Sequence, residues 1–128
     1  MNLLFDTHVL LWAAGSPERI SRRVRTLIEN RENGLVFSVA SILEIVIKRS
    51  LGRRDFRVDP QRLRRKLIEN GYDELHIGGE HVPGVAALPA VHQDPFDRLL
   101  VAQAIHEGLA LVTADRALAR YPASIVVA

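Results

Sequence analysis

Short, almost wholly apolar runs alternate along this chain with longer stretches of helical period, and few folds accept that pattern. The runs fall at residues 3–6, 35–38, 74–77, 109–113 and 124–127, each of strand length. Between them, helical spacing covers residues 8–14, 20–31, 40–50, 60–70, 80–87, 95–107 and 115–120. Strands this apolar are buried on both faces, and a sheet buried on both faces is a parallel sheet covered by helices. Alternation of strand and helix gives the same answer, because parallel neighbours need a crossover long enough to hold a helix.

Length and composition fit one such unit. The chain has 128 residues, 48% of them hydrophobic and 25% charged, which places residues 1–128 in a single globular domain. There is no cysteine, so disulfides and thiolate metal sites are excluded, in keeping with a reducing cytoplasm. No apolar run approaches the roughly 20 residues that span a bilayer. The N-terminus, Met1-Asn2-Leu3-Leu4-Phe5-Asp6, lacks a basic leader and reads as a first strand.

Several boundaries are marked by particular residues. Asp94-Pro95-Phe96-Asp97 offers an N-cap acid, a proline at the first helical position and a second acid in the first turn. Gly108 supplies the stop for that helix, Gly52 for the helix carrying Glu44, and Gly71 for the helix at 60–70. Asn33-Gly34 reads as a turn. Pro83 and Gly84 make the segment 78–89 the least regular.

The net charge of +2 conceals an asymmetry. Residues 1–66 carry fourteen Lys/Arg against seven Asp/Glu; residues 67–128 carry three against eight. A basic half of this kind attracts phosphate backbones, and solvated helix faces explain the same charges without a ligand. Arg53, Arg54 and Arg57 are candidates for guiding such a backbone. Few aromatics accompany the arginines, so base stacking is not indicated.

Four acids fall where an open parallel sheet binds its ligands, beyond the carboxyl ends of the strands. Asp6 closes the first strand and Asp115 follows the fourth. Glu44 lies one turn into the helix after the second strand, and Asp97 opens the helix before the fourth. Each has a plainer reading. Asp6, Asp94, Asp97 and Asp115 can cap helices. Glu44 follows Ser41 by three, as in a capping box, and precedes Lys48 by four, as in a helix ion pair. The conjunction says more than any one acid. Two carboxylates about 4 Å apart repel by roughly 1 kcal/mol in water and by more near a low-dielectric surface. A rim of several needs a cation, and oxygen-only ligands select hard ions such as Mg²⁺ or Mn²⁺. Such ions neutralise phosphate charge and activate water.

The stretches that carry these acids resemble the motifs of PIN-domain proteins, in particular the VapC-like toxins of bacterial type II toxin–antitoxin systems. Leu3-Leu4-Phe5-Asp6-Thr7-His8 is similar to the first motif and Ser41-Ile42-Leu43-Glu44-Ile45 to the second. The run from His92 to Ala104, with Asp94-Pro95-Phe96-Asp97-Arg98 at its centre, resembles one subgroup's third motif. Leu111-Val112-Thr113-Ala114-Asp115 resembles the fourth. The likeness runs from end to end. It implies a three-layer α/β/α sandwich around a parallel sheet of four or five strands, and Mg²⁺- or Mn²⁺-dependent endonucleolytic cleavage of single-stranded RNA. It implies metal-ligand roles for Asp6, Glu44 and Asp97, and the more variable fourth acidic place for Asp115. Thr113 then orients a carboxylate or the attacking water, and Asp94 is an accessory or capping residue. A homodimer and a cognate antitoxin are implied as well.

Other residues enter as accessories. His8 and His92 are candidate outer helpers, each with a structural reading beside it. His76, His81 and His106 show no metal-ligand spacing and are expected to be exposed. Arg98 contacts phosphate or pairs with Asp94. Trp12 belongs to the core or a dimer interface. Competing classes fare worse. A dehalogenase-type phosphatase needs a second Asp where His8 stands, and a receiver domain needs a late lysine where none follows Lys66. No P-loop is present. A PIN-like RNA-processing nuclease outside a toxin system, and a catalytically silent protein-binding domain, remain as alternatives.

Overall fold

The computed structural model describes residues 1–128 as five strands and six α-helices, the helices falling in pairs between successive strands up to β4. The order is β1 (Asn2–Phe5), α1 (Thr7–Gly15), α2 (Arg22–Glu29), β2 (Gly34–Ser38), α3 (Val39–Ser50), α4 (Pro60–Glu69), β3 (Asp73–Leu75), α5 (His81–Ala86), α6 (Pro95–Glu107), β4 (Ala110–Thr113) and β5 (Ile125–Val127). Short 3₁₀ turns cover Pro17–Arg19, Arg54–Phe56 and Arg116–Arg120. All five strands pair in parallel, in the order β3-β2-β1-β4-β5. The expected sandwich is therefore the observed one.

Alternation within the strands makes the two interfaces. In β1, Leu3 and Phe5 point to one face and Leu4 to the other, as a period of two requires. The first pair joins Val9, Leu10, Val24, Phe37, Leu63 and Val112 in the larger core under α1, α2 and α4. Leu4 joins Ala40, Leu100, Val101, Leu111 and Leu118 in the smaller core under α6. Leu3, Leu4, Phe37, Leu100 and Leu111 are wholly inaccessible to solvent, and burying each stabilises the fold by about 1.5–3 kcal/mol. One buried polar contact ties the layers: Ser38 Oγ donates to Gln103 Oε1 at 2.5 Å.

The differences from the sequence expectation lie at element ends. The stretch 20–31 holds one helix, shortened to Arg22–Glu29. Ser21 accepts from the Val24 amide and starts α2 afresh, leaving Pro17–Arg19 as a separate turn. Residues 116–120 coil as 3₁₀ rather than α-helix. The N-cap of α3 is Ser38, which accepts from the Ala40 amide. Ser41 is thus inside the helix, and the Ser41–Glu44 capping box does not form. The glycine stops hold: Gly52, Gly71 and Gly108 all take positive φ (75°, 85° and 67°), which a side chain would resist.

Candidate active site

The chain reverses its direction of travel across the sheet between β1 and β4. From β1 it builds outward through β2 and β3, then returns to lay β4 on the other side of β1. The carboxyl ends of β1 and β4 therefore flank the crevice where such sheets bind ligands. Register pairs Phe5 with Val112, so the next residues, Asp6 and Thr113, meet at the rim. The Asp6 amide donates to the Val112 carbonyl at 2.9 Å, and the Thr113 hydroxyl donates to Asp6 Oδ2. The Ala114 amide reaches the same oxygen at 3.2 Å. Asp6 Oδ1 accepts from the Val9 amide at 2.9 Å and caps α1. The capping reading and the rim placement are both realised by one side chain. Burial pushes the Asp6 carboxyl upward, against the hydrogen bonds from Thr113, Val9 and Ala114.

Glu44 projects from the first turns of α3 and is 2% exposed. Each of its oxygens has a partner. Thr7 Oγ1 donates to Oε1 at 2.5 Å and lies 3.0 Å from Ser41 Oγ. Lys48 Nζ donates to Oε2 at 2.5 Å and reaches Asp94 Oδ2 at 3.0 Å. The expected helix pair Glu44–Lys48 is thus real, and it extends to an acid 46 residues further on. Asp94 caps α6, its Oδ1 accepting from the Phe96 and Asp97 amides. Burial raises the Asp94 carboxyl, but Lys48 and the two amides outweigh it, and the net shift is downward.

Asp97 is different. It receives no hydrogen bond, and the ring nitrogen Nε2 of His92 lies 3.6 Å away. Its carboxyl is pushed up to about 7, first by burial and then by the charges of Asp94, Glu44 and Asp6, with His92 opposing. His92 accepts the Asp94 amide at Nδ1, 3.1 Å, so its neutral ring carries the proton on Nε2. That proton goes to Asp115 Oδ2, 2.8 Å away. The ring nitrogen of His92 and one oxygen each of Asp97 and Asp115 lie within 4.8 Å of one another. Asp115 also caps its 3₁₀ turn through the Ala117 amide, and its side chain is 41% exposed.

The four acids named from the sequence thus converge with Thr113 on one rim. Sequence reasoning undervalued three residues. Thr7 and the far arm of Lys48 needed a long-range fold to become visible. His92 stood as a possible helper, and it holds Asp115 from 23 residues away.

Other expectations are corrected. Arg98 neither pairs with Asp94 nor faces the rim. Its guanidinium donates to the carbonyls of Val85, Pro89 and His92, tying down the irregular segment before α6. His8 pairs with Asp55 at 3.2 Å on the surface. Trp12 is half-buried, with the Arg19 guanidinium 4.6 Å from its ring centre. His76 and His106 are exposed, but His81 is buried. His81 and His106 converge with Glu80 and Glu107 within 4.8 Å, against the expectation from spacing. Yet His81 Nδ1 accepts the Gly78 amide at 2.8 Å, so Nε2 holds the proton and gives it to Glu107 at 3.0 Å. That cluster is a latch between α5 and the end of α6, with no free lone pair on its buried ring.

The rim suits a hard cation on its own chemistry. With His92 acting as a donor, the open ligands are carboxylate oxygens, and hard ions prefer those. Asp97, crowded by three acids and lacking any donor, is a negative site without a counter-charge. An apolar groove of about 790 Å³ between α1, α2 and α4 lies elsewhere and contains none of these acids.

Fold and site together define an α/β domain with a cation-seeking acidic centre at the switch point of a parallel sheet. The chain belongs to the PIN-domain family: residues 3–124 match the family model described as PIN domain. It is 30% identical to Ribonuclease VapC22 of Mycobacterium tuberculosis, over 98% of this chain and 97% of that protein. Among solved structures it is similar to VapBC2 from Rickettsia felis bound to a promoter DNA fragment. The TM-score is 0.71 at 16% identity, covering 100% of this chain and 98% of the other. DNA-bound VapBC from Salmonella typhimurium gives 0.69 at 14% identity, with 100% and 97% covered. These structural likenesses concern the fold.

Proposed function

We propose that this protein is a divalent-metal-dependent endoribonuclease, the toxin of a VapBC-type pair, with Asp6, Glu44, Asp97 and Asp115 forming its acidic centre. The observation that carries the reading is Asp97, a half-buried carboxylate with no donor, set between Asp6 and Asp115 at the switch point. The full-length similarity to a named ribonuclease supports it. Asp6, Asp97 and Asp115 present oxygens to the crevice, and Thr113 keeps Asp6 aimed. His92 holds Asp115, and Asp94 fixes the first turn of α6 and so the place of Asp97. Mg²⁺ or Mn²⁺ bound here supplies charge neutralisation at the scissile phosphate and acidity to a water. Arg53 and Lys48 both lie against the ring of Phe56, at 5.5 and 5.1 Å. The basic segment 53–57 therefore borders the rim, where it guides an RNA backbone towards the acids. Likeness to a toxin–antitoxin complex from Klebsiella pneumoniae leads us to assign a cognate antitoxin as protein partner, and the family resemblance implies a homodimer as assembly.

The test is RNA cleavage by purified protein with Mg²⁺, with Mn²⁺ and with chelator, beside Asp6→Ala and Asp97→Ala. Cleavage that needs the ion and disappears in both variants is expected, a fall of at least 100-fold being typical when a group of this kind is removed. Cleavage that survives chelator and both substitutions refutes the assignment. Binding of Mn²⁺ without cleavage of any RNA favours the silent protein-binding alternative.

A further inference from the structure

Lys48 is held as few surface lysines are. Its side chain is 15% exposed, and it pairs with Glu44 and Asp94 at 2.5 and 3.0 Å. The rings of Phe56 and Phe96 lie 5.1 and 5.7 Å from its ammonium, at distances where an aromatic face attracts a cation. No other lysine or arginine forms an ion pair with Asp6, Glu44, Asp94, Asp97 or Asp115. One fixed positive charge therefore sits among five acids.

Its position divides the rim. Both oxygens of Glu44 are occupied, by Thr7 and by Lys48. Both oxygens of Asp94 are occupied, by Lys48 and by the amides that begin α6. On the other side Asp97 accepts no hydrogen bond, and the donors to Asp6 and Asp115 are backbone amides, the Thr113 hydroxyl and the His92 ring, none of them a lysine or arginine. An ion taking Glu44 as a ligand must displace the ammonium or approach it against charge repulsion. An ion beside Asp97 and Asp115 meets no fixed ammonium or guanidinium. Sites with two metal ions hold them about 3.5–4 Å apart, clamping the attacking and leaving oxygens.

We propose that the Lys48 ammonium substitutes for one of two cations, so that the centre takes a single divalent ion on its Asp6–Asp97–Asp115 side. This rests on the nuclease reading above. Lys48 is then a positioning residue. Through Asp94 it fixes the first turn of α6 and with it Asp97, and through Glu44 it closes the far side of the crevice with a charge that never dissociates.

Counting ions tests this without reference to activity. Tag-free full-length protein is titrated with Mn²⁺ by calorimetry, with free Mn²⁺ followed by electron paramagnetic resonance. Wild type binds one ion per chain. Lys48→Met, which keeps the stem and removes the charge, binds two. Lys48→Arg binds one. Circular dichroism checks the fold, and Lys48→Gln, which leaves Glu44 a hydrogen-bond donor, replaces the methionine variant should that not fold. Two ions in wild type, or one in the neutral variants, overturns the proposal. Cleavage of RNA by a wild type that binds two ions does so while leaving the nuclease reading intact. A wild type that binds no ion and cuts no RNA removes both.

Discussion

Asp97 stores a conflict that its neighbours create. Its carboxyl titrates near 7 in the folded chain, against 3.8 for the free side chain. Between those values the folded state holds a proton that the unfolded state has released. Stability contributed by this residue is therefore present below about pH 4 and is lost as pH rises towards 7. Asp97→Asn removes the conflict. Without divalent ions it should raise the melting temperature at pH 8 by several degrees, on the order of 2 kcal/mol, with the gain vanishing near pH 4. Scanning calorimetry at both pH values checks this. Equal melting temperatures at pH 8 would mean that the carboxylates do not repel as placed. Added Mn²⁺ should reverse the order, because only the wild type keeps its full ligand set. The acids themselves are legible in the sequence, because strand ends and helix starts are marked by local residues. Their partners are not. Lys48 meets Asp94 across 46 residues, Thr7 meets Glu44 across 37, and the tautomer of His92 follows from an amide only the folded loop presents.

Elements are legible in proportion to their local chemistry. Helix α6 has its Asp-Pro start and glycine stop, and it spans residues 95–107 as those signals predict. The break before α2 is hidden because Ser21 caps from within a stretch of continuous helical period. Burial of His81 is hidden because a short helix interrupted by Pro83 and Gly84 has no face to read. The loop leading from α5 to α6 depends instead on Arg98, whose guanidinium donates to the carbonyls of Val85, Pro89 and His92 and so ties three points of the loop to α6. Arg98→Met keeps the stem and removes all three hydrogen bonds. We expect destabilisation of about 1–3 kcal/mol in denaturant unfolding. Amide exchange should accelerate over residues 85–92. Unchanged exchange there would show that the loop is held by packing alone.

At the scale of the molecule, charge and topology act together. The basic first half supplies the segment 53–57 beside a rim whose acids come mostly from the second half. Replacing Arg53, Arg54 and Arg57 together by Gln should weaken single-stranded RNA binding. The slope of log K against log salt should flatten by about 0.7 for each phosphate that the variant no longer neutralises. The Asp97→Asn background keeps the substrate intact during the measurement. An unchanged slope would place the RNA on another surface.

Order in the sheet also sets an order in time. Strand β1 is made well before its partner on the acidic side, β4. Thr113 meets Asp6 across 107 residues. At about 5–20 residues per second, the interval between the two is about 5–20 s. Throughout it Asp6 lacks its threonine, and Asp115 follows two residues later still. The acidic centre is thereby assembled only after the segment carrying Thr113 and Asp115 has emerged.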